Sequence, residues 1–183
     1  MEKIDLTPIF YSNYNAGIDY YSLDELAFLF DNRCLNYKKE PVGSLKEFYD
    51  FIDKINNREI KVFDIEGGGN RHLALKLIGL KYYEKTSKTA LVENWFHGYR
   101  PDLLFKNRAG CVIIVECGDT SPVKIMEYFD RPEVEKVIII SYPEEGEDFI
   151  YQHIFSKNKA LDEYLRIKKE INLKKIKRII NKR

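Results

Sequence analysis

The chain lacks the features that mark secreted and membrane proteins. It contains only three cysteines, and their spacing is not that of a zinc site or a disulfide framework. Two of them, Cys111 and Cys117, lie in apolar, strand-like sequence, as expected for reduced thiols in a cytosol. No run of about 18 uncharged apolar residues could cross a membrane, and the opening Met-Glu-Lys-Ile-Asp is too polar for a signal peptide. We therefore predict a cytoplasmic protein without a membrane partner.

Motifs of several common enzyme classes are also missing. There is no Gly-x-Ser-x-Gly elbow of serine hydrolases and no Gly-x-Gly-x-x-Gly fingerprint of dinucleotide binding. Three glycines at 67–69 precede a predicted helix, but the Gly-Lys-Ser/Thr that completes a phosphate-binding loop does not follow. We interpret these glycines as a hinge.

Charge is balanced overall but segregated along the chain. The protein has 30 basic and 29 acidic residues, and its 44% hydrophobic content over 183 residues suffices for one core. Residues 156–183 hold eleven basic and three acidic residues, against 19 and 26 in the remainder. A basic amphipathic helix of this kind binds phosphate backbones, anionic lipid or the acidic body of its own protein.

The patterns divide the chain into three predicted regions. A helical N-terminal extension is expected over 1–65, a core over 66–150, and a basic helical segment over 151–183. Within the extension, Ser-x-x-Glu capping boxes at Ser22 and Ser44 predict helices near 22–33 and 44–57, followed by a short strand over 59–65.

The core alternates between helical and strand-like patterns. We predict in chain order a helix capped by Asn70 and reaching 84, strands over 89–96, 102–106 and 111–117, a helix over 122–130 begun by Ser121-Pro122, and a strand over 135–142. Turn residues at 107–110 predict a hairpin between the second and third strands. The last helix makes a crossover that should pair its two strands in parallel. This order indicates an α/β or α+β domain with a mixed sheet.

Two carboxylates are placed to meet at one end of this hairpin. Glu116 ends the most apolar strand of the chain, where an acid is unexpected unless something binds it. If the hairpin is centred near Ala109, Asp102 lies opposite Glu116, with Cβ atoms about 4.5–5.5 Å apart. Such carboxylates repel unless a cation lies between them, and oxygen ligands of this hardness select magnesium, calcium or manganese. The alternative is that both acids simply mark exposed strand ends.

With Pro101-Asp102, Glu116 and this order of elements, residues 70–143 resemble the PD-(D/E)XK nuclease superfamily. The superfamily usually has lysine two residues after the second acid, and here that position is Gly118. Some members carry the lysine on the following helix instead, where Lys124 lies. If Lys124 is instead an ordinary solvated helix residue, the site would bind metal without cleaving anything.

The resemblance implies a restriction-endonuclease-like fold and a divalent-metal-dependent nuclease that hydrolyses phosphodiester bonds, with DNA the favoured substrate. It implies Asp102, Glu116 and Lys124 as catalytic residues, and Mg²⁺ or Mn²⁺ held by both acids and the backbone carbonyl of Cys117. Glu93 is a further candidate ligand or else an ordinary surface residue. The alternative functions are a catalytically inactive nuclease-fold module for nucleic-acid or protein binding and an unrelated α/β interaction domain.

Candidate nucleic-acid contacts are basic residues of two regions. They are Arg71, His72, Arg100, Lys174 and Lys175. For the first two, exposure to water in the first turn of their helix is the plainer interpretation. A homodimer is an open alternative, because two-fold symmetry would place two sites on a duplex.

Overall fold

A computed structural model describes residues 20–60, 68–85, 89–107 and 109–180. These ranges contain five helices and six strands. The helices are α1 (Tyr20–Asp31), α2 (Leu45–Asn56), α3 (Asn70–Tyr83), α4 (Pro122–Phe129) and α5 (Lys159–Ile180). The strands are β1 (Leu35–Ser44), β2 (Thr89–Val92), β3 (Leu103–Lys106), β4 (Val112–Cys117), β5 (Val134–Ile140) and β6 (Phe149–Lys157). None of the helices in these ranges is long and apolar enough to span a membrane.

The strands form one mixed sheet in the order β1-β6-β5-β4-β3-β2. Only β4 and β5 pair in parallel, and the other neighbours are antiparallel. α4 connects the two parallel strands, as the crossover pattern predicted. The predicted order of helix, three strands, helix and strand is confirmed, and the fold is α+β.

Helices cover both faces of the sheet because its central strands are apolar on both sides. In β4, Ile114 faces the layer that contains α1, α4 and the start of α5. Its neighbour Val115 faces the other layer, where α2 and α3 pack. Adjacent strand residues point to opposite faces, so the near-continuous apolar run of β4 follows from burial between two helical layers.

The hairpin between β3 and β4 has the predicted register. Leu103 pairs with Val115, and Lys106 pairs with Val112, which centres the hairpin on Ala109. The Asn107 side-chain oxygen accepts hydrogen bonds from the amides of Ala109 at 2.9 Å and Cys111 at 3.0 Å. This local turn chemistry places position 102 opposite position 116.

Three predicted helix caps need correction. α1 begins at Tyr20, so Ser22 lies inside the helix and does not cap it. Gly69 is the N-cap of α3, which makes Asn70 the first helical residue. Ser121 occupies the N-cap of α4, but its hydroxyl makes no capping hydrogen bond. The predicted N-cap at Ser44 is confirmed, because its hydroxyl accepts a hydrogen bond from the Glu47 amide at 3.1 Å.

The predicted flanking regions, 1–65 and 151–183, each contain residues of a strand that the sequence patterns did not reveal. β1 pairs along its length with β6, with an irregularity between Pro41 and Gly43. β1 is an edge strand in which only Leu35 and Val42 are buried, so its apolar pattern is weak. β6 buries polar residues, Gln152 and His153.

Two further strand predictions differ from the structure. β2 ends at Val92 rather than at 96 because Glu93 adopts a left-handed conformation, with φ of 47°. Of the strand predicted over 59–65, the first two residues are not in a strand and residues 61–65 lie outside the described part.

Candidate active site

Three acidic residues lie in a row at one end of the sheet, across β2, β3 and β4. The pairing of Val92 with Leu103 continues outward, since the Glu93 amide donates to the Asp102 carbonyl at 3.0 Å. The pairing of Leu103 with Val115 sets Asp102 beside Glu116. We call Glu93, Asp102 and Glu116 the acid row.

Asp102, at the centre of the row, is held by α3 and by the end of β4. Its Oδ1 atom lies 3.0 Å from His72 Nε2 and 3.0 Å from Lys76 Nζ, and its Oδ2 atom accepts the Cys117 amide at 2.8 Å. Burial acts to raise the pKa of Asp102, but His72, the Cys117 amide and Lys76 together lower it below the ordinary value. Asp102 is therefore ionised in the folded protein at neutral pH.

Glu116 is held by the opposite helical layer. Lys124 Nζ donates to its Oε2 at 2.7 Å, and the Tyr128 hydroxyl donates to its Oε1 at 2.5 Å. Both donors lie on α4, four residues apart and so on one face. Burial raises the pKa of Glu116, opposed by Lys124 and reinforced by the charge of Asp102. The ionised form of Glu116 is thus destabilised.

The two central acids have different helical partners, although the hairpin sets them opposite each other. Asp102 precedes β3 and contacts α3, whereas Glu116 lies within β4 and contacts α4. They meet at the end of the sheet, where Asp102 accepts the amide of the residue that follows Glu116. The predicted register is confirmed, but each carboxylate is anchored from its own side of the sheet.

Glu93 is not the surface residue that strand alternation suggested. It is only 9% exposed, and its carboxylate binds Lys76 and lies 2.7 Å from Arg100 Nη2. Arg100 Nε also donates to the Glu93 carbonyl at 3.1 Å. The ion pairs compensate the buried charge, but among the described residues Glu93 Oε2 accepts no hydrogen bond.

Gly118 occupies a position where the fold disfavours any side chain. Gly118 has φ of +74°, and a Cβ atom there would lie 2.6 Å from the ring of Tyr142. A side chain would meet both backbone strain and a ring. The predicted reach of Lys124 back to the acids is confirmed for Glu116.

The central acids keep some acceptor capacity beside their protein contacts. An ionised carboxylate offers about four lone-pair positions; Asp102 uses three of them and Glu116 two. Each acid keeps acceptor capacity for an ion, and the carbonyl of Cys117 would be the third ligand. No group of three or more His, Cys, Asp or Glu residues in the described ranges could hold a metal ion, so the set would depend on that backbone carbonyl.

The candidate nucleic-acid contacts divide into three groups. His72 binds Asp102 and is partly buried, so the expected exposure to water is wrong for it. Arg71 is exposed, with its guanidinium 5.1 Å from the centre of the Tyr142 ring. Arg100 binds Glu93, while Lys174 and Lys175 are exposed on α5 and outside this network.

Lys76 and Tyr128 are the site residues that the sequence analysis missed. Lys76 is the only charged residue among the buried positions of α3, in an apolar run from Leu73 to Leu80. A single lysine on the buried face of a helix, four residues after a histidine, was the available signal for a buried carboxylate partner. Tyr128 follows Lys124 by one helical turn, but a tyrosine in such a position usually belongs to the core.

Comparisons of the chain with protein-family models, with curated proteins and with solved structures find no match. The resemblance to PD-(D/E)XK nucleases therefore stays a prediction from residues and element order. The functional proposal below rests on the acid row, its basic partners and their positions at the end of the sheet.

Proposed function

We propose that the protein is a divalent-metal-dependent nuclease that hydrolyses phosphodiester bonds, with DNA as the favoured substrate. The observation that carries the proposal is the position of Asp102 and Glu116 on paired strands at the end of the β3–β4 hairpin, with the Lys124 ammonium 2.7 Å from Glu116 and the Cys117 amide 2.8 Å from Asp102. Two acids and an ammonium are the side chains that the resemblance implies for cleavage.

A magnesium or manganese ion held by Asp102, Glu116 and the Cys117 carbonyl would supply Lewis acidity toward a phosphate oxygen and a bound water. Asp102 is kept ionised by His72, Lys76 and the Cys117 amide, and these contacts also fix its orientation.

Lys124 contributes a positive charge that can face the scissile phosphate. An ammonium has three donors, and the contact with Glu116 uses one of them. The side chain is partly exposed, so its remaining donors can orient a phosphate oxygen or an attacking water. Tyr128 fixes the second oxygen of Glu116, which keeps the acid in place when Lys124 turns toward substrate.

Two arginines flank the acid row and suit phosphates on either side of a cleaved bond. Arg71 lies at the start of α3 beside Tyr142, and Arg100 lies in the loop that precedes Asp102. Both are exposed enough to meet solvent. Guanidinium groups bind phosphate oxygens through paired donors, so these residues would position the backbone of a nucleic acid.

The second candidate is a nuclease-fold module that binds nucleic acid or protein without cleaving. It is favoured by Gly118 and by the basic partners that already neutralise the acids, Lys76 on Asp102 and Lys124 on Glu116. In this function the row would be a structural ion-pair network.

A plasmid-nicking assay with Mg²⁺ or Mn²⁺ distinguishes the two functions. We expect the wild type to nick only with metal and Asp102→Asn and Glu116→Gln to be slower by about 10²-fold or more. Asp50→Asn is the matched control, since Asp50 is an exposed carboxylate paired with Lys46 on α2. Nicking by the two site variants at the wild-type rate would contradict the nuclease proposal; DNA binding without nicking by the wild type would favour the second candidate.

A further inference from the structure

The Lys76 side chain is buried more deeply than any carboxylate of the acid row. It is 1% exposed, and its ammonium lies between the carboxylates of Glu93 and Asp102. It forms an ion pair with Glu93 Oε1 and lies 3.0 Å from Asp102 Oδ1. The two acids come from the ends of neighbouring strands, so a single positive charge bridges β2 and β3.

The acid row offers two positions between carboxylates, because Asp102 is shared by both neighbours. One position lies between Glu93 and Asp102, and the other between Asp102 and Glu116. Two-metal phosphodiesterases hold their ions about 3.5–4 Å apart with ligands of this kind. The row therefore has a carboxylate on either side of two positions, and the Lys76 ammonium occupies one of them.

The ammonium groups of Lys124 and Lys76 differ in how easily they can move from their carboxylate partners into solvent. Lys124 is 32% exposed, in the first turn of α4, and its side chain can turn into solvent. Lys76 lies on a helix pressed against the sheet, since a Cβ atom at Gly79 would approach Leu103 and Ile140 to within 3 Å. The Lys76 ammonium has no comparable route to water.

We propose that the Lys76 ammonium takes the place of a second divalent ion between Glu93 and Asp102, so that the site accepts a single ion, at Asp102 and Glu116. Lys76 is then a positioning residue that fixes Asp102 for this ion. The single-ion part rests on the proposed function. The claim that the Glu93–Asp102 position binds a divalent ion once the ammonium is removed does not.

Calorimetric titration with Mn²⁺ tests this claim on Lys76→Met, which keeps the length of the side chain without its charge. We expect the variant to bind one more Mn²⁺ per chain than the wild type. Its thermal midpoint should fall in chelator, because two buried carboxylates lose their shared partner. Saturating Mn²⁺ should then raise that midpoint by more than it raises the wild type.

The double variant Lys76→Met/Glu93→Gln is the matched control. It removes one carboxylate charge together with the ammonium, and we expect it to fold in chelator and to bind no more Mn²⁺ than the wild type. A Lys76→Met protein with wild-type stoichiometry, or one that stays unfolded at saturating Mn²⁺ while the double variant folds, would overturn the proposal. Failure of both variants to fold would overturn it as well, because charge balance would then not explain the need for Lys76.

The titration separates this inference from the nuclease proposal. If the wild type binds no Mn²⁺ and Lys76→Met binds one ion, the metal of the proposed function is contradicted while the role of Lys76 stands. If both proteins bind one ion, the metal of the proposed function is supported and the role of Lys76 is contradicted.

Discussion

At the scale of single residues, Gly118 combines a left-handed backbone with a close approach to the ring of Tyr142. Its φ of +74° costs a residue with a side chain about 1–2 kcal/mol, and the approach to Tyr142 adds the cost of overpacking, about 1–3 kcal/mol. We expect Gly118→Ala to lower the free energy of unfolding by the sum of both effects, measured by urea denaturation.

Gly146→Ala is the matched control for that measurement. Gly146 has a similar φ of +86°, but no atom lies within 4 Å of the position that an added methyl group would occupy. It should show the backbone cost alone, about 1–2 kcal/mol. Equal losses in both variants would show that the ring of Tyr142 moves aside without cost, and that lysine is excluded from position 118 only by the backbone.

The central acids should have opposite effects on the pH dependence of stability. The pKa of Asp102 is lowered on folding, so its stabilisation is present above its ordinary value of 3.8 and is lost as pH falls through the lowered pKa. The pKa of Glu116 is raised, so its favourable contribution is present below its ordinary value of 4.5 and is lost as pH rises through the raised pKa.

Urea denaturation of Asp102→Asn and Glu116→Gln across this range tests both signs. At neutral pH we expect Asp102→Asn to be less stable than the wild type and Glu116→Gln to be more stable, since the amide avoids a buried charge. Both differences should change as the pH is lowered: the Glu116 difference becomes constant below about 4.5, when the acid is protonated in both states. A destabilised Glu116→Gln would mean that its contacts with Lys124 and Tyr128 outweigh burial.

The residues of the site were predictable to the extent that local chemistry fixes them. The turn at Asn107 and the apolar pattern of β4 determine the register, and the register brings Asp102 beside Glu116. The ion pairs of Glu93 were not predictable, because they depend on a left-handed backbone at that residue. The partner of Lys76 depends on the packing of α3 against the sheet, which no local pattern specifies.

At the scale of elements, the two serine N-caps offer a direct comparison. The Ser44 hydroxyl accepts the Glu47 amide at the start of α2, whereas the Ser121 hydroxyl makes no such bond at the start of α4. We expect Ser44→Ala to lower the free energy of unfolding by about 1 kcal/mol and Ser121→Ala to change it by less than about 0.5 kcal/mol. Urea denaturation measures both; equal effects would show that the hydroxyl of Ser44 adds nothing as a cap.

Sequence patterns predicted the helices and strands that are buried on one whole face or on both faces. α2 has apolar residues at helical spacing on one face, whereas β4 and the second half of β5 are continuous apolar runs because both faces of the sheet are covered. β1 buries only Leu35 and Val42 and contains Pro41 and Gly43, so its pattern is that of a loop. In β6 the buried Gln152 is satisfied by Tyr83 of α3, a tertiary contact that breaks the apolar pattern.

At the scale of the whole molecule, the site forms where the two helical layers reach the same end of the sheet. α3 brings His72 and Lys76 from one layer, and α4 brings Lys124 and Tyr128 from the other. Neither layer alone would neutralise the acid row. The segregated charge of the chain adds a second feature at this scale, because residues 156–183 are basic, with Lys174 and Lys175 exposed on α5, while the rest of the chain is acidic.

Paired charge removals test whether this basic part of α5 contacts DNA. Lys174→Gln/Lys175→Gln removes two exposed charges from α5, and Lys38→Gln/Lys46→Gln removes two exposed charges from β1 and α2, so the net charge changes equally. If α5 lies on the phosphate backbone, only the first pair should weaken binding, and the slope of log K against log salt should fall by about 0.9 per lost phosphate contact. Stability should change by less than about 0.5 kcal/mol in both. Fluorescence anisotropy of labelled DNA at several salt concentrations gives the slopes, and equal losses from the two pairs would assign the binding to net charge rather than to α5.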